Sequence, residues 1–496
     1  MNEIPESVDL VVVGFGAGGL AAALSALETA EGRESNFSVV ILERAPKEDR
    51  GGNTRWSTAG IHPDTRMSGF VESFESRTQD AEAYVRTLAS EGPGTLAWLG
   101  KYGLEFEPGP RTFMTSADPD LQPVGGGGGI IDALATHLEK ATKGIFFGPG
   151  GSLVLGLQIL YETTAQSLVT GDDGTTRGVV VRTKDGLLQS IGSRATIIAS
   201  GGFEGNPEMM TQYVGYVVPP VSRGGRYNKG EGIRMALAVG AKPTGQWSEF
   251  HPLPADPRSD RQGVGLLTFA AVMETVPYGI LVNSNGDRFL DEGASSMNEL
   301  YDVLSRAVQK QEGRVGYVIF DQPTFDIPGY RAAVAKDELV EPHSAGTLEE
   351  LAGELGIEPR KLTQTVSEYN NSVPTDSSQF DAFRPDGLST NGDLQPPKSN
   401  WARSISQAPY YAYPITCSIV FTFGGIGTNE HAEVLSTDDV PIPGLYAAGE
   451  VTGLYHHDYV GTTAVLRSFV FGRIAGQRAV EYALENRSGV ASPDVP

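Results

Sequence analysis

The sequence has 496 residues, 40% of them hydrophobic and 20% charged, and its 61 acidic side chains against 38 Lys and Arg give a formal charge of -23. A chain of this length usually forms two structural units, with a cleft between them in which a ligand can bind. The acidic excess argues against nucleic acid or an anionic membrane as a partner, and no apolar run approaches the roughly 20 residues that span a bilayer.

The first predicted elements are a strand, a glycine-rich turn, a helix and a second strand. The apolar run DLVVV ends at residue 13, GFGAGG occupies 14–19, and LAAALSALETA favours a helix. The run SVVILE then ends at Glu43. This order is typical of the opening βαβ unit of a doubly wound sheet, so the sequence predicts an α/β fold with a Rossmann-like domain.

Later segments predict a second structural unit. Two β-rich runs flank GDDGTT at 171–176 and predict a hairpin, and ATIIASGG predicts another buried strand. The polar stretch 373–399 is typical of a long surface loop, and a periodic apolar helix is expected over 463–484. We therefore expect a Rossmann-like domain formed by 1–247 and 421–496, with an inserted α+β cap domain at 248–420.

Cysteine and histidine usage limits the redox chemistry. Cys417 is the single cysteine in the sequence, which excludes an internal disulfide, a cysteine-ligated iron–sulfur cluster and thiol-pair chemistry. The seven His are scattered, so we expect no metal site. Redox chemistry would then depend on a bound organic cofactor. The first residues lack the basic region and cleavage site of a secretory signal, which favours a cytoplasmic protein without membrane insertion.

The glycine-rich turn and Glu43 together indicate a dinucleotide site. Gly14, Gly16 and Gly19 form G-x-G-x-x-G, which permits a tight turn and a close approach of a pyrophosphate to the helix N-terminus. Glu43 ends the second strand, where a carboxylate can accept both ribose hydroxyls of an adenosine. A purely structural glycine turn is the alternative, and these features alone do not separate FAD from NAD.

Three further motifs distinguish FAD from NAD as the expected cofactor. They are GGNTRWSTAGI after the second strand, ASGGFEGN after a later strand, and GLYAAGEVTG near the end. With them the chain resembles the fumarate reductase and succinate dehydrogenase flavoprotein superfamily over nearly its whole length. The resemblance implies FAD as cofactor, bound by Gly14, Gly16, Gly18, Gly19, Glu43, Arg44, Gly51, Gly52, Asn53, Thr54, Gly60, Gly201, Gly202, Gly449, Glu450, Thr462 and Thr463. Loop glycines and a capping acid would explain any one of these motifs, but not the set.

The last helix and Asn53 bear on how FAD is held. Gly461, Thr462 and Thr463 open that helix, so their N–H groups and the positive end of its dipole would stabilise a flavin that gains negative charge. Covalent members of the family carry a histidine where this chain has Asn53. The resemblance therefore implies non-covalent FAD.

Within the superfamily the chain most resembles tricarballylate dehydrogenases, in ILVNSNGDRFLDEGA, PITCSIVFTFGGI and EVTGLYHHDYVGTTAVLRSFVFGRIAG. That implies dehydrogenation of a CH–CH bond beside a carboxylate or carbonyl, with hydride transfer to flavin N5 and loss of a proton from the neighbouring carbon. The electron acceptor is not indicated.

The family's charged groups are partly missing. Fumarate reductases carry an arginine acid after the motif that is RFLDEG here, and the equivalent stretch 294–297 is ASSM. They carry another arginine where this chain has Tyr459, and a histidine where it has Phe421. A small dicarboxylate such as fumarate is therefore a poor candidate substrate.

His251 and Tyr459 are the catalytic residues that the resemblance implies. His251 matches a substrate-contacting histidine, with a packing role as its alternative. Tyr459 is similar in place to a tyrosine with which ketosteroid dehydrogenases polarise a substrate carbonyl, and packing against the flavin edge is the equal alternative. Substrate contacts are expected from Thr422, Tyr455 and Arg467, although Arg467 could instead pair with Glu450.

Several alternatives stay open. Arg223 and Arg226 match a segment near the cofactor in relatives, and a solvated loop explains them equally well. The enzyme could work in reverse as an ene-reductase, or be a ketosteroid-type dehydrogenase. The missing arginines also suit a non-catalytic flavoprotein subunit that relays electrons. A nicotinamide-only dehydrogenase would leave the later motifs without a role.

Overall fold

The computed structural model describes residues 4–61, 70–75, 78, 81–108, 121–141, 155–215, 221–222, 224–258, 267–295, 297–334 and 340–487. The strands are β1 (Ser7–Val13), β2 (Phe37–Leu42), β3 (Phe106–Pro108), β4 (Leu121–Pro123), β5 (Leu155–Leu160), β6 (Thr164–Thr170), β7 (Thr176–Arg182), β8 (Leu188–Ile198), β9 (Val221–Ser222), β10 (Pro243–Thr244), β11 (Phe250–Ala255), β12 (Ile280–Asn283), β13 (Gly316–Asp321), β14 (His343–Ala345), β15 (Tyr410–Thr422), β16 (Gly425–Ile426), β17 (Glu433–Leu435) and β18 (Pro441–Ala447).

The helices accompany these strands through most of the chain. They are α1 (Ala17–Gly32), α2 (Gly52–Trp56), α3 (Phe70–Glu75), α4 (Glu82–Gly100), α5 (Gly126–Ala141), α6 (Pro207–Tyr213), α7 (Glu231–Ala238), α8 (Leu267–Thr275), α9 (Met297–Gln309), α10 (Tyr330–Val334), α11 (Leu348–Leu355), α12 (Pro359–Ser372) and α13 (Ala464–Glu485). Within the part of the chain that is described, none of them is both long and apolar enough to cross a bilayer.

The larger sheet of the described residues has eight strands. Its order is β17-β18-β8-β1-β2-β5, and β7 and then β6 continue from β8. β18, β8, β1, β2 and β5 run parallel to one another. Leu10, Val11 and Val12 of β1 are fully buried, as in a parallel sheet that is covered by helices on both faces. The predicted doubly wound α/β fold is confirmed.

The predicted hairpin is present, but the apolar run before it is broken. β6 and β7 pair antiparallel around GDDGTT. The preceding run divides, because β5 pairs parallel with β2 and the chain then turns at Glu162, which has a φ of 51°. Both halves of the run are β-rich, so apolar periodicity does not mark this turn.

The second sheet of the described residues has six strands in the order β11-β15-β13-β12, with β9 and β14 also paired to β15. β15 is a long strand that crosses the predicted domain boundary between residues 420 and 421, and its final residues pair with β11. This pairing places Phe421 opposite His251. The division into 1–247 with 421–496 and an inserted 248–420 stays a prediction.

The polar stretch 373–399 contains no helix or strand, but it is not simply a solvated loop. Leu388 and Lys398 within it are fully buried. Lys398 Nζ donates to the carbonyl of Gly279 at 2.8 Å, and burial lowers the pKa of this amine to about 8. The segment therefore covers the second sheet, and its polar composition concealed these anchoring contacts.

Two glycines allow the last helix to cross the first one closely. A Cβ on Gly472 would lie 2.4 Å from the carbonyl oxygen of Gly18, and a Cβ on Gly476 would lie 2.3 Å from that of Ala22. α13 confirms the predicted helix to within one residue at each end. The chain's first and last helices thus pack against each other on one face of the larger sheet.

We expect Gly476→Ala to lower the free energy of unfolding by about 1–3 kcal/mol, because its methyl group would collide with the backbone of α1. Chemical denaturation would measure the change. The matched control is Gly353→Ala in α11, where an added Cβ meets nothing within 4 Å. Helix propensity alone should make that control neutral or more stable by up to about 1 kcal/mol. Equal stability of the two variants would contradict the close helix crossing.

Candidate active site

A cavity of about 1420 Å³ follows the carboxyl ends of the parallel strands and reaches the second sheet. Ligands of doubly wound folds bind at this edge. The volume exceeds the roughly 300–1,000 Å³ of a pocket for a drug-sized molecule, so it can accommodate a dinucleotide and a substrate together. Below, the "nucleotide end" is the part lined by Gly14, Gly16 and Glu43, and the "aromatic end" is the part lined by His251, Tyr301, Phe421 and Tyr459.

The turn between β1 and α1 shapes the nucleotide end. Gly14 has a φ of 111°, and a Cβ there would lie 2.3 Å from the carbonyl oxygen of Ala199. Gly16 and Gly18 line the cavity at the first turn of α1, where N–H groups lack intrahelical partners. The Ala17 N–H is an exception, since it donates to Thr54 Oγ1 at 3.1 Å. This open helix N-terminus fits a pyrophosphate.

Glu43 directly follows β2 and lines the nucleotide end as a buried carboxylate. Burial raises the pKa of Glu43 to about 7, although its Oε1 accepts the Ala45 N–H at 2.6 Å. The neighbouring Arg44 also lines the cavity and forms an ion pair with Glu231. A ribose would supply the hydroxyl donors that this carboxylate needs when ionised.

Asn53 and Glu450 form a polar cluster along the cavity wall. Asn53 Nδ2 donates to Glu450 Oε2 at 3.1 Å, and Asn53 Oδ1 accepts the Gly225 N–H at 2.7 Å. Glu450 also accepts from Asn228 Nδ2 at 3.2 Å and from the Thr422 N–H at 3.0 Å. These neutral donors stabilise a carboxylate that faces the cavity, where it could accept hydroxyl groups of a sugar chain.

The start of α13 meets the hydroxyl of Tyr459. The N–H groups of Thr463 and Ala464 both donate to Tyr459 Oη at 3.1 Å. Burial raises the pKa of Tyr459 to about 12, so the phenol keeps its proton at neutral pH. Since Oη already accepts two hydrogen bonds, its own proton is left for a third partner. The expected positive end of α13 is therefore directed at a phenol oxygen in this structure.

The aromatic end surrounds His251 with rings from three elements. The centroid of the His251 ring lies 4.5 Å from that of Tyr459, 5.1 Å from that of Phe421 and 5.4 Å from that of Tyr301. β11 carries His251 at a register shift between His251 and Pro252. Tyr301 comes from α9, which packs against β11 and β15 of the second sheet. This end of the cavity is apolar in surface but offers an imidazole and phenol groups for proton transfer.

Charged groups near the aromatic end are mainly acidic. Glu274, Asp302 and Asp458 line the cavity. Asp302 is bound on one side by Arg306, whose Nε donates to Oδ1 at 2.6 Å. Among the described lining residues, Arg44 and Arg467 are the arginines, and neither belongs to the aromatic end as defined. Arg467 lies behind Tyr455, whose ring centroid is 5.3 Å from that of Tyr459, so among the described residues the aromatic end has one nearby arginine that is not paired with an acid.

Most of the predicted site residues line the cavity. They are Gly14, Gly16, Gly18, Glu43, Arg44, Gly52, Asn53, Thr54, Gly60, Gly201, His251, Gly449, Glu450, Tyr459, Thr462 and Arg467. Arg467 donates from Nη1 to the carbonyl and hydroxyl oxygens of Thr452, both at 3.1 Å, rather than to Glu450. Its guanidinium lies 4.9 Å from the centroid of the Tyr455 ring.

The other predicted residues are not part of the lining: Gly19, Gly51, Gly202, Thr422, Tyr455 and Thr463. Thr422 positions Glu450, and the hydroxyls of Tyr455 and Thr463 are 2.8 Å apart. Arg226 is exposed and pairs with Asp49 at 2.7 Å, while Arg223 lies outside the described residues.

Sequence reasoning missed three residues that the structure brings to the site. Tyr301 lies in an unremarkable helix pattern, so only the packing of α9 reveals it. Glu204 occurs within the motif ASGGFEGN, and Asn228 follows Arg226 by two residues, but neither was singled out. The available signal for Glu204 was an acidic residue inside the glycine-rich run GGFEG at 201–205.

We expect Glu43→Gln to weaken FAD binding about 10- to 100-fold, because a charged hydrogen bond worth about 1.5–3 kcal/mol becomes a neutral one. Only the ionised carboxylate accepts both ribose hydroxyls, so wild-type affinity should rise with pH through about 7, and the variant's affinity should not. Titration of apoprotein with FAD fluorescence measures both effects. The control is Glu48→Gln, which changes an exposed neighbouring residue. Equal FAD affinities of the wild type, Glu43→Gln and Glu48→Gln would show that Glu43 does not bind the cofactor.

Comparisons with known proteins over nearly the whole chain agree with a cavity that holds a dinucleotide. The sequence is 29% identical over 504 residues to a probable fumarate reductase, Ifc3, of Shewanella frigidimarina (strain NCIMB 400), covering 97% of this chain and 76% of that relative. It is 26% identical over 521 residues to a vinyl phenol reductase of Lactiplantibacillus plantarum (strain ATCC BAA-793 / NCIMB 8826 / WCFS1), covering 96% and 97%. The open conformation of a flavocytochrome c3 fumarate reductase has a TM-score of 0.75 at 26% identity, covering 97% of this chain and 79% of that one.

The family model for an FAD binding domain matches residues 9–463, which include the glycine turn, Glu43 and Glu450. The open helix N-terminus, the buried acid after β2 and the elongated cavity fit that cofactor. The finer similarity to tricarballylate dehydrogenases stays a prediction. The chain belongs to the FAD-binding domain family and is an FAD-dependent oxidoreductase of the fumarate reductase and succinate dehydrogenase flavoprotein superfamily.

Proposed function

We propose that this enzyme dehydrogenates a CH–CH bond beside the carbonyl group of an uncharged substrate, or catalyses the reverse reduction. The observation that carries the proposal is the aromatic end of the cavity, where His251, Tyr301, Phe421 and Tyr459 enclose one space. Flat rings of this kind pack well against the face or edge of a cyclic or aromatic molecule.

The charges at the aromatic end support an uncharged substrate. Glu274, Asp302 and Asp458 line the cavity, and Arg306 is already bound to Asp302 and to Glu249. Among the described residues, a substrate carboxylate would therefore meet mostly like charges, with Arg467 behind Tyr455 as the exception. Among the relatives, the vinyl phenol reductase is named for a phenol and not for an acid, which agrees with this choice.

Tyr459 is the proposed donor to the substrate carbonyl. The N–H groups of Thr463 and Ala464 donate to its oxygen, which makes its own proton a better hydrogen-bond donor. That hydrogen bond would stabilise the negative charge that develops on the carbonyl oxygen as the adjacent carbon loses a proton. Tyr459 would thus stabilise the developing negative charge of an uncharged substrate. A carboxylate substrate would need a cation for the same purpose.

His251 is the proposed acceptor of that proton. A neutral imidazole is a suitable base at physiological pH, and His251 is the histidine among the described residues that line the cavity. Its ring centroid lies 4.5 Å from that of Tyr459, so base and donor flank one space. FAD, when bound, supplies the acceptor for the hydride that leaves the second carbon.

We also propose that FAD is held without a covalent bond. The Asn53 amide has no nucleophilic atom for a flavin linkage, and its Nδ2 is engaged by Glu204, Glu450 and the carbonyl of Val420. A separate electron acceptor and a cytoplasmic location complete the proposal.

We expect Tyr459→Phe to lower kcat by roughly 100-fold or more, the usual effect of removing one donor to a developing oxyanion. The change also removes the acceptor of the Thr463 and Ala464 N–H groups, so FAD content is measured in parallel and should stay at the wild-type level if the hydroxyl acts on the substrate. Tyr446→Phe is the matched control, since its hydroxyl makes only a 3.4 Å contact with the carbonyl of Arg478. Unchanged turnover in Tyr459→Phe would exclude Tyr459 from the mechanism.

The substrate class is tested by mixing the purified flavoprotein anaerobically with saturated ketones and acids. We expect an uncharged cyclic ketone or a 3-ketosteroid to bleach the flavin absorbance, and tricarballylate to leave it unchanged. If an unsaturated ketone instead reoxidises the dithionite-reduced protein, the working direction is reduction. Bleaching by tricarballylate alone would refute the uncharged substrate, and no response in either test would favour an electron-relaying flavoprotein without its own turnover.

A further inference from the structure

Glu204 is a buried carboxylate that the proposed mechanism does not use. It follows the turn after β8 and is only 6% exposed. Its Oε1 accepts a hydrogen bond from Asn53 Nδ2 at 2.7 Å, whereas its Oε2 is buried and receives no hydrogen bond from the described residues. The Asn53 amide and the backbone N–H of Glu204 itself are poor compensation for a full negative charge in such a place.

Glu450 shares the same amide group. Asn53 Nδ2 lies 3.1 Å from Glu450 Oε2, so both carboxyl groups contact one NH2. Glu450 lies close enough to Glu204 for a carboxyl–carboxylate hydrogen bond once one of the two carries a proton. It also receives hydrogen bonds from Asn228 and Thr422, which Glu204 lacks. The negative charge is therefore better placed on Glu450, and the proton on Glu204.

The surrounding charges support this assignment. Burial and the neighbouring Glu450 raise the pKa of Glu204 well above its ordinary value. Burial also raises the pKa of Glu450, but its hydrogen bonds and the positive charge of Arg467 from α13 act in the opposite direction. Asn53, Asn228 and Thr422 are neutral, so Glu204, Glu450 and Arg467 are the charged or titratable groups that the described contacts bring to this pair.

We propose that Glu204 and Glu450 share one proton beside the Asn53 amide, and that this proton couples the redox state of bound FAD to pH. Glu204 is a positioning residue, because it acts through Asn53 and Glu450, which line the cavity, and does not line it itself. The inference depends on FAD binding and is independent of which substrate the enzyme uses.

The coupling follows from charge balance. Two-electron reduction would add negative charge to a cofactor held in the cavity that Glu450 lines. A protonated Glu204 limits the pair to a single negative charge, whereas an ionised Glu204 adds a second one and opposes reduction. In the pH range where Glu204 has lost its proton in the oxidised protein, reduction draws a proton from solvent back to Glu204. The two electrons go to the cofactor and the extra proton goes to the carboxyl group.

Glu204→Gln tests this coupling, because the amide mimics a protonated carboxyl group at every pH. Its oxygen can accept from Asn53, and its NH2 can donate to Glu450. The midpoint potential of the bound flavin would be measured against reference dyes from about pH 6 to about pH 10, a range that includes carboxyl groups with strongly raised pKa values. The matched control is Glu208→Gln at the exposed start of α6.

We expect the three proteins to have the same midpoint potential at the acidic end. At higher pH the potential of the wild type and of Glu208→Gln should fall more steeply than that of Glu204→Gln, which leaves the variant easier to reduce. Parallel curves for all three proteins would overturn the proposal. A folded Glu204→Gln that does not retain FAD at neutral pH would also overturn it, because the amide would then fail to replace the protonated acid.

A second measurement detects the shared proton by infrared spectroscopy. Redox-difference infrared spectra of the wild-type holoenzyme should contain a C=O stretching band of a protonated carboxylic acid that shifts when the flavin is reduced. The band should be lost from the oxidised state as pH rises through the range in which the midpoint curve steepens. Because Glu43 also has a raised pKa, of about 7, the same spectra of Glu204→Gln assign the band. Absence of a protonated-carboxyl band that depends on Glu204 would refute the shared proton.

Discussion

The contact between Gly14 and the backbone at Ala199 determines how the nucleotide end of the cavity is built. It joins the ends of β1 and β8, two central parallel strands, at a distance that no side chain would allow, since a Cβ on Gly14 would lie 2.3 Å from the Ala199 oxygen. α1 starts from this point, and its first turn lines the cavity at Gly16 and Gly18. A wider turn would move the helix N-terminus away from the strand edge that carries Glu43. The binding of a dinucleotide here therefore depends on the missing side chain of one residue.

Local signals in the sequence were sufficient to predict the elements that build the nucleotide end of the cavity. Strand, turn and helix each depend on residues close together in the chain, so the βαβ unit, Glu43 and α13 were predictable. The aromatic end was not, because it combines β11, α9, β15 and the loop before α13. Tyr301 approaches His251 only through the packing of α9, and nothing in its own neighbourhood marks it. The hydroxyl of Tyr459 likewise received a structural partner at the start of α13 that sequence spacing alone could not reveal.

The strongly acidic composition does not prevent the chain from binding a cofactor with two phosphates. The nucleotide end offers backbone N–H groups and a helix dipole in place of mobile cations, and Arg44 is paired with Glu231. Dipoles of this kind are fixed by the fold and lie next to the bound anion, so its binding does not require a positive net charge. The carboxylates around the cavity, in turn, differ in proton affinity because each has a different set of donors.

The close crossing of α1 and α13 has a consequence for how the protein acquires its cofactor during biosynthesis. The glycine turn at residues 14–19 is translated well before Gly449, Glu450 and α13, which lie more than 400 residues further along the chain. Until α13 packs against α1, the cavity lacks one of its walls and the first helix exposes the apolar face that α13 covers. Contacts between such distant segments form late in folding. FAD loading is thus expected to follow the synthesis of α13, and a nascent fragment that stops before α13 would be apoprotein with an exposed helix, a natural target for chaperones and proteases.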